Sequence, residues 1–386
     1  MSYKVLLCSF YPVFSGTGGA EKVFWRMSNE LVLREYDVYA LGFESKDNNT
    51  PFFEASSIIH KINTGKGYRK SILIQLICLF IFKADWRRKF RDTFEGKRKG
   101  KRILPAIKRI SPDIIISYQI EMTFVLKEIL KVDTPVITML HNDVDILLRG
   151  KERIYKALKK GVLTQVLLPS FKERLSNYIA VNSVVIPNEV PYFSKISNQE
   201  NNTIISVGRI CSTKNQIDLI KAFGIFNKSN PSWKLVIIGD CTVDKDYYIK
   251  CTNLVIKQNL QNSVKFVGTT KTTYKYLFES SIFAFPSVFE GFPLALTEAM
   301  SMGLAVIGYK TCPGVNEIIH DGVNGYLVDN NYLSLAKQIE LLANSSLLRK
   351  RIGLQASCDM KQYNTDKIYD KWNEIILGTI NENYKK

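Results

Sequence analysis

Short apolar runs alternate with amphipathic segments along almost the whole chain. A short apolar run is typical of a strand buried in a parallel sheet, and apolar residues spaced three and four apart are typical of a helix. This alternation predicts an α/β fold built on parallel sheets. The predicted strands are 4–9, 37–42, 58–62, 113–117, 135–140, 164–168, 184–188, 203–208, 233–239, 264–268, 282–286, 304–309 and 325–328. The predicted helices are 20–34, 171–178, 216–226, 247–258, 274–280, 293–302, 333–344, 347–357 and 365–376.

One polar, turn-rich segment, 189–202, interrupts this pattern near the middle of the chain and predicts an interdomain linker. At 386 residues the chain is long enough for two or three domains with substantial cores. We therefore expect an N-terminal domain over 1–190, a linker over 191–202 and a C-terminal domain over 203–364. The last segment, 365–386, is expected to form a helix of its own.

Composition excludes several classes of protein. A hydrophobic content of 46% and an aromatic content of 11% are globular values and argue against disorder. The seven cysteines are scattered and form no C-x-x-C pair, which argues against a disulfide framework or a zinc site and favours a reducing compartment. The sequence shows no signal peptide and no apolar run long enough to span a bilayer. We expect a cytoplasmic protein.

The net charge of +17 is concentrated in one region. Residues 83–109 hold twelve basic residues against three acidic ones, directly after the apolar segment 72–82. An apolar anchor followed by basic residues favours attachment of 72–109 to an anionic membrane surface. The alternative is a buried helix followed by a solvated basic one. Nucleic-acid binding is disfavoured, because Trp86, Phe90 and Phe94 are spaced as one helix face rather than as an RNA platform.

The stretch 281–303 combines a strand, an acidic loop and a helix. Pro293 suits the first helical position, since its missing N–H is not needed there, and Gly303 suits the residue after the helix. The start of such a helix predicts an anion site at 291–294, formed by Gly291, Phe292, Pro293 and Leu294. Glu290 precedes the helix and Glu298 lies inside it. An anion site flanked by two carboxylates suits a nucleotide-sugar, which has phosphates in the middle and hydroxyls at both ends.

A second strand end carries two cations, in the arrangement Gly208-Arg209-x4-Lys214. Facing the predicted anion site, Arg209 and Lys214 would neutralise a diphosphate. The alternative is that they are ordinary surface cations. The two patterns together are far more specific than either alone.

The N-terminal half offers a glycine-rich loop and a histidine. Gly18 and Gly19 follow the first predicted strand, but Glu21 stands where a dinucleotide-binding loop would have its third glycine, which argues against a dehydrogenase. The alternative for this loop is a plain tight turn. His141 follows a predicted strand, where it could orient or deprotonate a substrate hydroxyl, or serve as a structural cap.

These motifs resemble family 4 of the retaining glycosyltransferases, above all Glu290-x7-Glu298 within EGFPLALTE, the G-R-x4-K arrangement and the GTGGAEK loop. The resemblance is dense over 203–329 and sparse before residue 188. It implies the GT-B fold, in which two Rossmann-like domains face a central cleft and a C-terminal helix crosses back to the N-terminal domain. It also implies a reaction that needs no metal and no cofactor.

The resemblance further implies roles for individual residues. Arg209 and Lys214 would bind the diphosphate, Glu290 the sugar and Glu298 the ribose. Backbone groups at Gly268 would hold the base, and those at Gly18 and Gly19 would approach the diphosphate and the acceptor. His141 would lie close to the donor sugar. The Asp143-Val-Asp145 triplet matches the D-x-D motif of metal-dependent GT-A transferases, but such a short motif arises often by chance.

We therefore expect a metal-independent hexosyltransferase that moves a sugar from a nucleoside diphosphate, UDP being favoured, to a lipid-linked or polysaccharide acceptor. Such a protein would work at the inner face of a bacterial membrane in surface polysaccharide assembly, for example of lipopolysaccharide or capsule. The alternatives are a GT-B-like protein that binds nucleotide-sugars or glycans without turnover, and a GT-B sugar-nucleotide epimerase or phosphorylase. A membrane-binding structural protein would explain the charge but not the C-terminal half.

Overall fold

The computed structural model describes residues 2–44, 50–65 and 84–385. The predicted apolar anchor at 72–82 lies outside these ranges. The chain forms two compact units. The first unit comprises Met1–Pro187 and Ile368–Lys386, and the second comprises Asn188–Lys367.

A seven-stranded, entirely parallel sheet forms the centre of the first unit, with strand order β3-β2-β1-β4-β5-β6-β7. Its strands are β1 (Lys4–Cys8), β2 (Asp37–Gly42), β3 (His60–Asn63), β4 (Ile114–Ser117), β5 (Val136–Leu140), β6 (Leu163–Val166) and β7 (Ser183–Val185). The helices of this unit are α1 (Gly19–Leu33), α2 (Ala84–Ile110), α3 (Ile120–Phe124), α4 (Val144–Leu148), α5 (Glu152–Tyr155) and α6 (Pro169–Tyr178). β4 and β5 are fully buried, as their unbroken apolar runs predict.

The second unit contains a six-stranded parallel sheet with the order β10-β9-β8-β11-β12-β13. Its strands are β8 (Thr203–Val207), β9 (Lys234–Ile238), β10 (Val264–Gly268), β11 (Ile282–Phe285), β12 (Ala305–Tyr309) and β13 (Tyr326–Val328). The helices are α7 (Gln216–Asn227), α8 (Lys245–Lys257), α9 (Thr273–Phe278), α10 (Leu294–Ser301), α11 (Val315–Ile318), α12 (Tyr332–Ala343) and α13 (Ser346–Met360). Each sheet thus has the order of a doubly wound Rossmann-like domain.

The last helix, α14 (Thr365–Tyr384), returns to the first unit. Tyr369, Trp372 and Ile376 on one of its faces are buried. The Lys371 ammonium donates to the Val185 carbonyl at 2.8 Å. This helix is longer than the predicted 365–376, because its amphipathic pattern continues to the buried side chain of Ile380.

The segment predicted as a linker packs on the second unit. The amide of Val190 donates to the carbonyl of Tyr363 at 2.8 Å, and that of Ser197 donates to Met302 at 2.9 Å. The Arg349 side chain, only 5% exposed, donates to the carbonyl of Gln199 at 3.1 Å. These three hydrogen bonds join the segment to the rest of the second unit.

Candidate functional site

The strand order of the second sheet reverses between β8 and β11. The carboxyl ends of strands at such a reversal leave a crevice where open α/β sheets bind their ligands. The loop after β8 carries Arg209 and Lys214, and the loop after β11 carries Glu290. The two loops predicted to form the donor site therefore leave adjacent strands at the reversal point.

Lys214 and Glu290 join these two loops. The Lys214 ammonium forms an ion pair with the Glu290 carboxylate, and their side chains are only 18% and 10% exposed. The amide of Val288 donates to the carbonyl of Thr213 at 3.0 Å, so the loops are also bonded through their backbones. The Lys214 ammonium lies 5.6 Å from the centroid of the Phe285 ring.

Arg209 is placed differently from Lys214. Its side chain is exposed, and its carbonyl accepts a hydrogen bond of 2.9 Å from the Gln216 side-chain amide. The next amide, of Ile210, donates to the carbonyl of Asp240 at the end of β9. The backbone of Arg209 is thus fixed on two sides, while its guanidinium is exposed to solvent.

Three glycines lie at the carboxyl ends of β8, β9 and β10. A Cβ on Gly239 would lie 1.9 Å from the carbonyl oxygen of Gly208, so the two backbones approach too closely for a side chain. Gly268 has φ of +78°, and a Cβ there would meet nothing within 4 Å. The amide of Gly239 donates to the carbonyl of Gly268 at 3.0 Å. The backbone of Gly268, the residue predicted to hold the base, borders open space.

The start of α10 differs from the prediction. Pro293 is the residue before the helix, with φ of −79° and ψ of 78°, and the first helical residue is Leu294. The prediction of Pro293 as first helical residue was wrong, because the amide of Leu294 turns back to bond the carbonyl of Phe292 at 2.9 Å. Pro293 carries no N–H, so the free donors of the helix are the amides of Ala295 and Leu296.

The rest of this loop is tightly packed. A Cβ on Gly314, whose φ is +79°, would lie 2.5 Å from the Gly291 carbonyl oxygen. Gly303 ends the helix with φ of +77°, as predicted. Glu298 is 4% exposed within α10 and has an interaction partner.

The remaining candidates, Gly18, Gly19 and His141, belong to the first unit. In this unit the strand order reverses between β1 and β4. Gly18 directly precedes α1, which starts at Gly19. His141 follows β5, next to β4 in the sheet.

Two carboxylates surround the glycine-rich loop. Glu44, which is 2% exposed, accepts hydrogen bonds from the amides of Phe14 and Ser15 at 2.8 and 3.0 Å and from the Ser15 hydroxyl at 2.8 Å. A Cβ on Gly18 would lie 2.6 Å from an oxygen of Glu21, so this second carboxylate covers the loop. The amides of Phe14 and Ser15 are thus bonded to Glu44 rather than free to bind a phosphate.

Glu44 was not among the residues predicted from the sequence. The one feature of the sequence that pointed to Glu44 was its position, two residues beyond the end of β2. Open α/β sheets bind their ligands at the carboxyl ends of their strands.

His141 is stacked on Tyr118, with ring centroids 4.6 Å apart. Burial lowers the pKa of His141 to about 4. The imidazole is therefore neutral near pH 7, and its buried Nε2 has no hydrogen-bond partner among the residues that the structure describes. A neutral imidazole of low pKa orients a hydroxyl better than it removes a proton.

The aspartates of the D-x-D triplet pair with an arginine. Arg174, from α6, lies 2.5 Å from the Asp143 carboxylate and 2.9 Å from that of Asp145. The Tyr178 hydroxyl also donates to Asp145, at 2.8 Å, and this bond, ahead of Arg174, lowers the pKa of Asp145. The two carboxylates are thus neutralised by a protein cation.

The predicted basic region forms α2 over the residues that the structure describes. Its C-terminal half packs on the sheet through Ile103 and Ile107, whereas Trp86 is 69% exposed. Phe90 and Phe94 follow on the same face, at 37% and 39% exposure. Within the described ranges, every helix is too short or too polar to cross a bilayer.

Residues 192–357 match the family model named Glycosyl transferases group 1. A protein of Haemophilus influenzae named as an uncharacterized glycosyltransferase is 27% identical over 375 residues, which are 95% of this chain and 98% of that protein. A Campylobacter jejuni α-1,4-N-acetyl-D-galactosaminyltransferase, named for an undecaprenol-diphosphate-linked acceptor, is 23% identical over 97% of this chain and 99% of its own.

Two solved structures have the same fold. Sucrose-phosphate synthase from Thermosynechococcus elongatus superposes with a TM-score of 0.78 at 16% identity, covering 97% of this chain and 98% of that one. S. aureus TarM, in complex with UDP, α-GlcNAc-glycerol and fondaparinux, gives 0.75 at 15% identity, covering 97% and 100%. The fold is GT-B, as predicted, and the relatives support a glycosyltransferase.

Proposed function

We propose that the protein is a retaining, metal-independent hexosyltransferase that uses a nucleoside diphosphate-sugar, UDP being the favoured nucleotide. The observation that carries this proposal is the meeting of Lys214 and Glu290 at the strand reversal of the second sheet. A cation and a carboxylate at this crevice match the needs of a diphosphate and of sugar hydroxyls.

The difficult step in such a reaction is the departure of a diphosphate from an oxocarbenium-like centre. Lys214, the exposed Arg209 guanidinium and the first amides of α10 would offer positive charge where negative charge develops. Preorganised charge of this kind is commonly the largest contribution to catalysis. The transferred sugar leaves its diphosphate and forms its new bond to an acceptor oxygen, whose proton passes to the departing phosphate or to solvent.

The carboxylates would hold the neutral parts of the donor. Glu290 would bind sugar hydroxyls and Glu298 those of the ribose, while the open backbone of Gly268 would receive the base. Gly291 and Phe292 would contribute backbone groups beside the phosphates. We assign no nucleophile, and front-side attack by the acceptor would retain the anomeric configuration.

In the first unit, His141 would orient the acceptor hydroxyl as a neutral imidazole. Because Glu44 accepts the amides of Phe14 and Ser15, we assign the approach to the diphosphate or the acceptor to the backbone of Gly18 and Gly19.

For the acceptor, we propose a lipid-linked or polysaccharide glycan. The C. jejuni relative is named for an undecaprenol-linked acceptor. A relative in Staphylococcus aureus, 27% identical over 51% of this chain, is named poly(ribitol-phosphate) α-N-acetylglucosaminyltransferase. Both names specify an α-linked product, as retention with an α-linked donor would give.

We also propose that the protein works at the anionic inner face of the membrane. On α2, the exposed face formed by Trp86, Phe90 and Phe94 lies among basic residues, an arrangement that suits the boundary between head groups and acyl chains. Sedimentation with vesicles containing phosphatidylglycerol should fall when Trp86 and Phe90 are changed to serine. It should be unchanged by Leu354→Ser, an exposed apolar residue on α13.

A donor panel tests the central proposal. UDP-, GDP- and ADP-sugars should be compared by thermal shift at equal concentration, because a ligand of the folded protein raises the melting temperature more the more tightly it binds. A UDP-sugar should raise it and should transfer its sugar to a glycan acceptor. If no nucleotide-sugar shifts the melting temperature, the donor assignment is wrong. Binding without transfer or donor hydrolysis would instead favour a nucleotide-sugar-binding protein, and an altered free donor would favour an epimerase.

A further inference from the structure

The turn that carries Lys214 has an unusual backbone. Asn215, the next residue, has φ of 51° and ψ of 43°, the left-handed region that costs most residues free energy and that asparagine tolerates better. Its side chain does not cap α7, because its amide points to the Asp218 carboxylate at 2.9 Å. The position of Lys214 therefore depends on a turn that its neighbour must hold in place.

Asp218 is also bonded to a third element. The hydroxyl of Tyr309, the last residue of β12, donates to the same Asp218 oxygen at 3.0 Å. Tyr309 is 1% exposed, and burial, followed by the nearby Asp218 carboxylate, raises the pKa of its phenol. The phenol is therefore protonated and acts as the donor. One carboxylate oxygen thus ties the Lys214 turn to the end of β12.

The chain after β12 contacts the other side of the same site. Gly314 closely approaches the Gly291 carbonyl, directly after Glu290. The contacts thus run from Lys214 to Asn215, Asp218 and Tyr309, and through the following loop to the Glu290 turn. Asp218 thus connects the turn after β8 to the end of β12, and the loop after β12 contacts the Glu290 turn.

We propose that Asp218 is a positioning residue for Lys214, acting through Asn215 and Tyr309. The functional part of this inference rests on the proposed use of Lys214 to bind a diphosphate. An acid in the first turn of a helix also stabilises the helix by itself. The test must therefore separate stabilisation of the helix by a first-turn acid from positioning of the Lys214 side chain.

Two substitutions separate geometry from charge. Both donors bond the same oxygen of Asp218, and an asparagine carbonyl can accept two hydrogen bonds, so Asp218→Asn can retain both without the charge. Asp218→Ala removes both. Tyr309→Phe removes one of the two hydrogen bonds, so its effect should lie between those of Asp218→Asn and Asp218→Ala. Asp246→Ala is the matched control, since Asp246 lies in the first turn of α8.

The first measurement is chemical labelling, which does not depend on enzymatic activity. Lys214 acetylation by an N-hydroxysuccinimide ester, followed by peptide mass spectrometry, should become several-fold faster in Asp218→Ala. It should match the wild type in Asp218→Asn and Asp246→Ala, with Lys228 as the internal reference. Unchanged labelling in folded Asp218→Ala would overturn the proposal, and this holds even if the protein is not a glycosyltransferase.

The second measurement uses UDP and a UDP-sugar. Misplacing a charged group by about 1 Å can cost about 100-fold in rate, so Asp218→Ala should lose about 10- to 100-fold in kcat/KM and weaken UDP binding. Asp218→Asn should stay within a few-fold of the wild type. Equal losses in both variants would show that charge, not position, matters, and would reject the proposal. A wild type that ignores every donor would count against the proposed function only.

Discussion

Lys214 forms an ion pair with Glu290 across two adjacent strand ends, and both side chains are largely removed from solvent. In the free protein, the cation proposed for the diphosphate therefore neutralises the carboxylate proposed for the sugar. Donor binding would replace part of this pairing, because Lys214 would then share its charge with the diphosphate. The ion pair between Lys214 and Glu290 holds the two loops together.

This ion pair predicts that a second substitution can restore stability without restoring activity. Lys214→Ala leaves the Glu290 carboxylate without its cation, so we expect a loss of about 1–3 kcal/mol of unfolding free energy. We also expect a rate lower by about 10²–10³, the scale seen when one preorganised donor is removed. Adding Glu290→Ala should restore much of the stability and none of the activity.

Urea unfolding and initial-rate assays on the two single variants and the double variant test this. Lys228→Ala, an exposed lysine at the end of α7, is the control. A double variant that regains activity would show that neither residue binds the donor.

The sequence predicted both sheets because their central strands, such as β4, β5 and β11, are short apolar runs of the kind that a covered parallel sheet buries. It placed Lys214 and Glu290 together because both follow such runs. It could not show that Glu44 bonds the glycine-rich loop or that Asp218 bonds Tyr309. Those contacts join residues far apart in the chain, and no local pattern records them.

The error at Pro293 has a local cause. Proline suits the first helical position by its fixed φ, and the sequence alone favours it there. The structure instead bonds Leu294 back to Phe292, so that the helix begins one residue later. Such a choice between two acceptable turns depends on how the whole loop packs, and this loop is tightly packed where Gly314 approaches Gly291.

His141 predicts a specific dependence of stability on pH. Burial lowers its pKa from 6.5 to about 4. Between these values the unfolded chain binds a proton that the folded one does not, so stability falls as pH drops from about 6.5 to 4. At 1.36 kcal/mol per pKa unit the loss is at most about 3 kcal/mol.

Urea unfolding at pH 7 and pH 4.5 measures this loss. In His141→Phe, which can still stack on Tyr118, the loss over this range should be smaller than in the wild type. Equal losses in the two proteins would mean that His141 is not buried as a neutral group. Activity above pH 6 should show no titration of this residue.

Arg349 predicts a large effect on stability without a direct effect on the site. Its guanidinium is buried and donates to the carbonyls of Leu342 and Ala343, at the end of α12, at 2.8 Å each. A cation at this end of a helix also interacts favourably with the helix dipole. Because it also bonds Gln199, Arg349 connects the predicted linker to the second unit.

We expect Arg349→Ala to lose about 1–3 kcal/mol, since it removes a buried donor from the carbonyls of Leu342, Ala343 and Gln199. Arg349→Lys should recover only part, as an ammonium cannot reproduce the planar fork. Lys350→Ala, which removes an exposed pair with Glu200 at 3.8 Å, should change stability by less than about 1 kcal/mol. Thermal unfolding of the three variants measures the differences.

Substitution of Arg174 tests whether the aspartates of the D-x-D triplet are structural. If Asp143 and Asp145 are structural, removing their arginine leaves the 2% exposed Asp143 carboxylate without its cation. Arg174→Ala should then cost about 1–3 kcal/mol, less than for a fully buried ion pair because the Arg174 side chain is 28% exposed. Lys172→Ala, an exposed lysine on the same helix, should cost almost nothing.

The same pair of aspartates allows a metal test. A metal site would need Asp143 and Asp145 to leave Arg174, and it would make activity depend on a divalent ion. We expect transfer activity in EDTA to equal that in Mg²⁺ or Mn²⁺, and Asp145→Asn to remain active because only its bonds to Arg174 and Tyr178 change. Activity that is lost in EDTA and restored by Mn²⁺ in the wild type, but not in Asp145→Asn, would assign the triplet to a metal instead.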